Sequence, residues 1–142
     1  MSAKTVVVGY DGTDGAKAAL KEALRVAAEI GGDVIGVFAY NRVITGGEQH
    51  DLDAVVHEHG DKMLAEAAAA AKTAGIDFTA QYIEESPASA LVKIADHHDA
   101  RFIVVGSYGE RPLKGAIVGS TPNKLIHLSD RPVIVVRIPE SE

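Results

Sequence analysis

Two short stretches of this chain carry glycines and hydroxyls at a spacing suited to holding an anion. Gly106-Ser107-Tyr108-Gly109 is followed, nine residues later, by Gly119-Ser120-Thr121-Pro122. Glycine lets a backbone approach a ligand closely, because no Cβ intervenes. Gly119 to Thr121 lead into a helical pattern, and free N–H groups with the helix dipole favour phosphate at such a start. Ser120 and Thr121 add hydroxyl donors, and Arg111 and Lys114 lie between the glycines, where they would neutralise phosphate charge. The competing reading is a long loop whose glycines only make turns, and the residues alone leave both open. A third stretch, Tyr10-Asp11-Gly12-Thr13-Asp14, offers a carboxylate directly after a run of valines. Aspartate before glycine is common in plain turns, so Asp11 has two readings as well.

Rival chemistries fail on specific residues. A P-loop needs lysine between its last glycine and its hydroxyl residue, but Ser120 follows Gly119 directly. The turn after the first valine run reads Gly9-Tyr10-Asp11-Gly12-Thr13-Asp14, which is not the dinucleotide fingerprint Gly-x-Gly-x-x-Gly. A haloacid-dehalogenase-like phosphatase would need an aspartate nucleophile where Gly9 stands. His50, Asp53 and His57, with Asp51 and His59 nearby, have the spacing of one helix face and a conceivable metal site. A solvated, acidic helix start is the favoured reading of them, and no metal is expected. His97-His98 with Asp96 and Asp99 read as an exposed helix end, and His127 as a residue near the close of the last helix. Ser107 and Ser120 have no evident histidine base, so no catalytic residue is assigned.

The elements that must position these residues alternate. Thr5–Tyr10 reads as a strand buried on both faces, as do Asp33–Tyr40, Arg101–Gly106 and Pro132–Arg137; Phe78–Ile83 is a more mixed strand. Between them, apolar residues from Ala16 to Ile30 recur at helical spacing, with Asp14 as N-cap and Gly31-Gly32 as the close. Asp51–Ala74 is a long, alanine-rich helix ended by Gly75. Ser86-Pro87 and Thr121-Pro122 are cap-plus-proline starts of helices running to about Asp99 and Leu128. Asn41 to His50 and Ser107 to Val118 read as loops, and Pro139–Glu142 as a tail. Strand–helix alternation of this kind implies a parallel sheet with helices on both faces. Ligands of such sheets sit beyond the C-terminal strand ends, which puts Tyr10–Asp14, Ala39–Arg42 and Gly106–Ser120 in the frame.

Bulk composition agrees with one soluble domain over residues 1–142. There is no cysteine, which removes disulfides, thiol catalysis and cysteine-bound metal. Net charge is −6 with scattered basic residues, so nucleic-acid binding is not expected. No n-region or long apolar segment precedes Val6, and apolar runs fall well short of the ~20 residues needed to span a bilayer. The expectation is a cytoplasmic protein without a membrane partner.

Gly-x-x-Gly, nine residues, then Gly-Ser resembles the nucleotide-binding signature of the universal stress protein family, here on Gly106, Gly109, Gly119 and Ser120. The resemblance extends to the opening Val-Val-Val-Gly-Tyr-Asp-Gly-Thr and the closing Arg-Pro-Val-Ile-Val-Val-Arg. It implies a single doubly wound, five-stranded parallel sheet, Rossmann-like and of the adenine nucleotide alpha hydrolase type, with strand order 3-2-1-4-5. It implies an adenine nucleotide as ligand, ATP first, with Mg²⁺ as an accompanying ion and AMP or cyclic AMP as alternatives. By the same resemblance Asp11 contacts the ribose, the Ala39 backbone reads the adenine edge, and Val105 lies near the base. Gly106 lies against the ribose, while Gly109, Gly119, Ser120 and Thr121 surround the phosphates. A homodimer through the last strand, Val133, Ile134, Val135 and Val136, is also implied, with a role in stress response or signalling and at most slow ATP hydrolysis. Five residues depart from the family pattern. Tyr108 stands where a basic residue is usual, Glu110 adds negative charge, Pro112 stiffens the loop, Pro122 removes a backbone donor, and Glu85 replaces a common glycine. These departures motivate a second reading, a dimeric interaction protein that keeps the fold without the nucleotide.

Overall fold

The computed structural model describes residues 4–40, 49–107 and 120–137, the side chains of 49–57, 59 and 120 aside. The chain runs β1 (Thr5–Gly9), α1 (Asp14–Ile30), β2 (Asp33–Ala39), α2 (Gln49–Ala74), β3 (Phe78–Ile83), α3 (Pro87–His97), β4 (Phe102–Gly106), α4 (Ser120–Leu128) and β5 (Val133–Val136). The strands form one sheet in the order β3-β2-β1-β4-β5, as expected. Every pairing is parallel, with Val7 beside Ile35 on one side and Ile103 on the other.

Valine-rich strands suit this position because both faces of the sheet are covered. Val6, Val8 and Val104 pack with Ala19, Leu20 and Ala23 of α1 and with Ala67 and Ala71 of α2. Val7, Ile103 and Val105 point the other way, onto Leu91 and Ile94 of α3 and Leu125 of α4. The alanine run of α2 is amphipathic by position. Leu64, Ala67 and Ala71 are buried at helical spacing, while Ala65, Ala68, Ala69 and Ala70 are exposed.

Five local expectations shift. Thr13, not Asp14, caps α1, because its hydroxyl accepts from the Ala16 N–H at 3.2 Å and Asp14 is already helical. Ser86 has the extended backbone of a cap, but its hydroxyl donates to Ser89 Oγ and accepts from no helix N–H. Helix α3 stops at His97, two residues before the expected Asp99, which adopts a left-handed φ of +50°. Helix α4 opens at Ser120, so Thr121 lies inside its first turn and is not its cap. Pro122 is tolerated there because first-turn N–H groups lack intrahelical partners. Strand ends retreat by a residue, leaving Tyr10, Tyr40, Arg101, Pro132 and Arg137 outside the ladders.

Two contacts fix the layers near the strand ends. Arg131 ties the entry of β5 to the end of α3, through Asp96 at 3.2 Å, Asp99 at 3.0 Å and the Ala100 carbonyl at 2.8 Å. Gly106 closes β4 against the first turn of α1, where a Cβ would stand 2.7 Å from the Gly15 carbonyl oxygen. Among the described residues no helix is long and apolar enough to cross a membrane. Because the neighbour is backbone and cannot rotate away, Gly106→Ala should cost about 1–3 kcal/mol in urea unfolding. Stability equal to wild type would show that β4 and α1 are not in this contact.

Candidate functional site

The order of the strands sets the site. The chain leaves β1 toward β2 and leaves β4 toward β5, so the two central strands send it in opposite directions. Helix α1 covers one face and α4 the other, and a crevice opens above the ends of β1 and β4. A cleft of about 150 Å³ occupies this position.

The sheet supplies the floor of the cleft. Gly9, Val37, Ala39, Val105 and Gly106 line it from the ends of β1, β2 and β4. Pro87 and Leu91 of α3 add apolar wall, and Thr121 and Pro122 bring in the first turn of α4. The β1–α1 turn adds the buried Tyr10 and the more exposed Asp11 and Thr13 at its edge. Of the residues singled out in the sequence, Asp11, Ala39, Val105, Gly106 and Thr121 therefore meet at one place. Ser120 opens α4 next to Thr121. Gly109, Arg111, Lys114 and Gly119, with Tyr108, Glu110 and Pro112, lie outside the described residues.

The rim is organised by hydrogen bonds within the β1–α1 turn. Asp11 Oδ1 accepts from the Thr13 N–H at 3.0 Å and from the Thr13 hydroxyl at 2.6 Å. Gly12 has a φ of +80°, the left-handed region that turns the chain back toward α1. The Met63 sulfur of α2 packs on the same glycine, 1.9 Å from where a Cβ would stand. Burial, aided by the negative charges of Glu66 and Asp11, holds the Tyr10 phenol above its ordinary pKa. Tyr10 therefore stays a neutral hydroxyl through the physiological range.

This arrangement suits binding. Apolar side chains face one wall, and the rim presents a carboxylate and hydroxyls. Among the described lining residues there is no lysine, arginine or histidine. Ser107 is fully buried, and its hydroxyl has no hydrogen-bond partner among the described residues, so it is not an accessible nucleophile. His50, Asp53 and His57 lie on α2, but their side chains fall outside the described set, as do those of Asp51 and His59. Among the described residues no group of three side chains is placed to hold a metal.

Several lining residues had no role assigned from the sequence. Tyr10 and Thr13 lie in the Tyr10–Asp14 segment placed at the strand end without a role of their own, and Gly9 and Ala16 flank it; the hydroxyl of Thr13 two residues after Asp11 is a usable signal. Val37, Pro87 and Leu91 come from elements that only the topology brings beside β1, and no local pattern marks them.

The model of the universal stress protein family matches residues 2–137. The universal stress protein MJ0531 of Methanocaldococcus jannaschii is 26% identical over 144 residues, covering 98% of this chain and 85% of the relative. The solved hypothetical protein MJ0577 superposes with a TM-score of 0.86 at 22% identity, covering 99% and 100% of the two chains, which supports the fold. A universal stress protein solved in complex with cAMP has a TM-score of 0.71 at 30% identity, covering 96% of this chain and 98% of that one.

The turn that carries Asp11 depends on Gly12. Gly12→Ala should lose about 1 kcal/mol from the left-handed backbone alone, with a further loss from collision with Met63. In a double-mutant cycle with Met63→Ala, unfolding titrations should show that the collision part disappears and the backbone part stays. Additive effects would show that Met63 does not pack on this turn.

Proposed function

Because the chain belongs to the universal stress protein family, we propose that residues 1–142 form one adenine-nucleotide-binding domain with ATP as its preferred ligand. The observation that carries this is the convergence of Asp11, Ala39, Val105, Gly106 and Thr121 on one cleft at the crossover of the sheet. In this reading the adenine lies on the apolar wall by Val37, Ala39 and Val105. The ribose meets Asp11 and Gly106, and the phosphates run toward Thr121 and the Gly119-Ser120 start of α4. Arg111, Lys114 and Gly109 complete the phosphate end by the sequence motif, with Mg²⁺ accompanying ATP. Bound nucleotide then serves as the signal in a stress response. Cyclic AMP is the second reading, favoured by the 30% identical neighbour solved with that ligand.

A ligand that binds only the folded state stabilises it, by about 2.7 kcal/mol at a hundredfold excess over Kd. Thermal unfolding with ATP, AMP and cyclic AMP should show the largest rise with ATP. Asp11→Ala should reduce that rise, and Gly119→Val, which fills the phosphate space of the motif, should abolish it. A larger rise with cyclic AMP would favour the second reading. No rise with any of the three would sink the nucleotide site and favour the interaction-protein reading.

The same domain is proposed to dimerise through β5. It is an edge strand, Val133 to Val136 are only half-buried, and Ile126 and Leu128 on the preceding helix are 60% and 53% exposed. The Pro132 carbonyl accepts from Ile103 of β4 and the Val136 carbonyl from Ser107 just beyond it, so the backbone groups of Val133 and Val135 face away from the sheet. Val135→Pro removes an outward N–H without removing one that the sheet uses. Sedimentation velocity should find a dimer for wild type and a folded monomer for this variant. A monomeric wild type, or a variant that stays dimeric, would contradict the assignment.

A further inference from the structure

A groove separate from the cleft runs between α1 and α2. Lys17, Leu20, Lys21 and Leu24 of α1 line it, with Glu66 and Ala70 of α2. Tyr10 is the one described residue that it shares with the cleft. Its volume of about 320 Å³ lies within the ~300–1,000 Å³ of small-molecule sites. Leu20 and Leu24 are 4% and 8% exposed and make an apolar floor. Lys17 and Lys21 are one helical turn apart, so they stand on the same face of α1. Both are exposed, and neither has an ion-pair or hydrogen-bond partner among the described residues, whereas Arg25, Lys93 and Arg131 all hold carboxylates. Tyr10 gives the groove a second polar feature. Val6, Val8 and Tyr10 alternate onto the α1–α2 side of the sheet, while Val7 and Val105 face α3. The phenol is therefore on the groove side, and the charge of Glu66, on the opposite wall, acts on it. Tyr10 is 4% exposed, yet its hydroxyl has no hydrogen-bond partner among the described residues. A buried hydroxyl left unpaired is costly, and an acceptor placed in the groove would pair it. Burial, with Glu66 and Asp11, keeps the phenol protonated, so it can donate.

We propose that this groove is a second binding site, for a small aliphatic carboxylate. The head group takes hydrogen bonds from the Lys17 and Lys21 ammonium groups and from the Tyr10 hydroxyl, and the hydrocarbon lies on Leu20, Leu24 and Ala70. Charge selects a monoanion. Two lysines against one Glu66 leave a single positive charge, so a phosphate dianion would be only partly compensated beside that carboxylate. The apolar floor selects a chain, because each methylene it buries tightens binding by up to about fourfold. None of these contacts draws on the nucleotide reading of the cleft.

The test is a chemical-shift titration of the isotope-labelled protein with octanoate, beside acetate, 1-octanol and octyltrimethylammonium. Octanoate should shift Tyr10, Lys17 to Leu24, Glu66 and Ala70 saturably, with acetate and octanol at least about tenfold weaker. Replacing both lysines, by Lys17→Gln and Lys21→Gln, alters two exposed side chains and should leave the circular dichroism spectrum unchanged. It should weaken octanoate by about tenfold and leave octanol as it was. Tyr10→Phe keeps the ring, removes the hydroxyl and should weaken octanoate by about threefold. Octanoate shifts that are absent from this surface, or that gather on the exposed Ile126 and Leu128 instead, overturn the proposal. Equal binding of octanol and octanoate overturns it too, as does octanoate binding that either variant leaves unchanged, because the groove would then be an apolar patch alone. Preference for octyltrimethylammonium overturns it in favour of a cation held by Glu66.

Discussion

The cleft exists because β1 and β4 lie side by side while the chain leaves them in opposite directions. A parallel sheet needs helical crossovers, and those crossovers must cover both faces. At one point in the strand order the helix on one face gives way to the helix on the other, and nothing in the sheet itself fills the gap. The whole core is arranged around that point. Val6 and Val8 of β1 are buried under α1, and Val7 is buried under α3. The close approach of Gly106 to Gly15 then brings the end of β4 and the start of α1 together at the rim of the gap.

The chemistry at that position is sparse and directional. Small or apolar residues, Gly9, Ala39, Val105 and Gly106, make a surface on which a flat ring can lie. Among the described lining residues, polar side chains are confined to the β1–α1 turn and the first turn of α4, an arrangement suited to a few oriented acceptors and donors against an apolar wall. Just beyond Gly106 the Ser107 hydroxyl is buried without a hydrogen-bond partner among the described residues.

Much of this was legible in the sequence, for identifiable reasons. Strands buried on both faces leave continuous valine-rich runs, α1 carries a 3.6-residue apolar pattern, α2 is rich in alanine, and α3 and α4 open on cap-plus-proline signals, so the order of elements could be read directly. Strand order came from the family resemblance, since alternation alone does not fix it. The cap of α1 was misplaced because Asp11, Thr13 and Asp14 all have the side chain for the task. Only the geometry shows that Asp11 is bonded to Thr13 and that Thr13 reaches Ala16. Gly106 was read as room for a ligand, and the structure adds a second demand on it, contact with Gly15. Leu91 and Pro87 entered the cleft from a helix distant in sequence, where periodicity marks burial but not what lies beside it.

The most direct measurement is an amide chemical-shift titration of the isotope-labelled protein with ATP. Resonances perturbed by ATP should gather at Gly9 to Thr13, Val37 to Ala39, Val105 to Gly106 and Thr121, at the ends of β1, β2 and β4 and the start of α4. Perturbations gathered instead along Lys17 to Leu24 and Ala70, on the surface between α1 and α2, would contradict the cleft as the ATP site, as would a spectrum that ATP leaves unchanged.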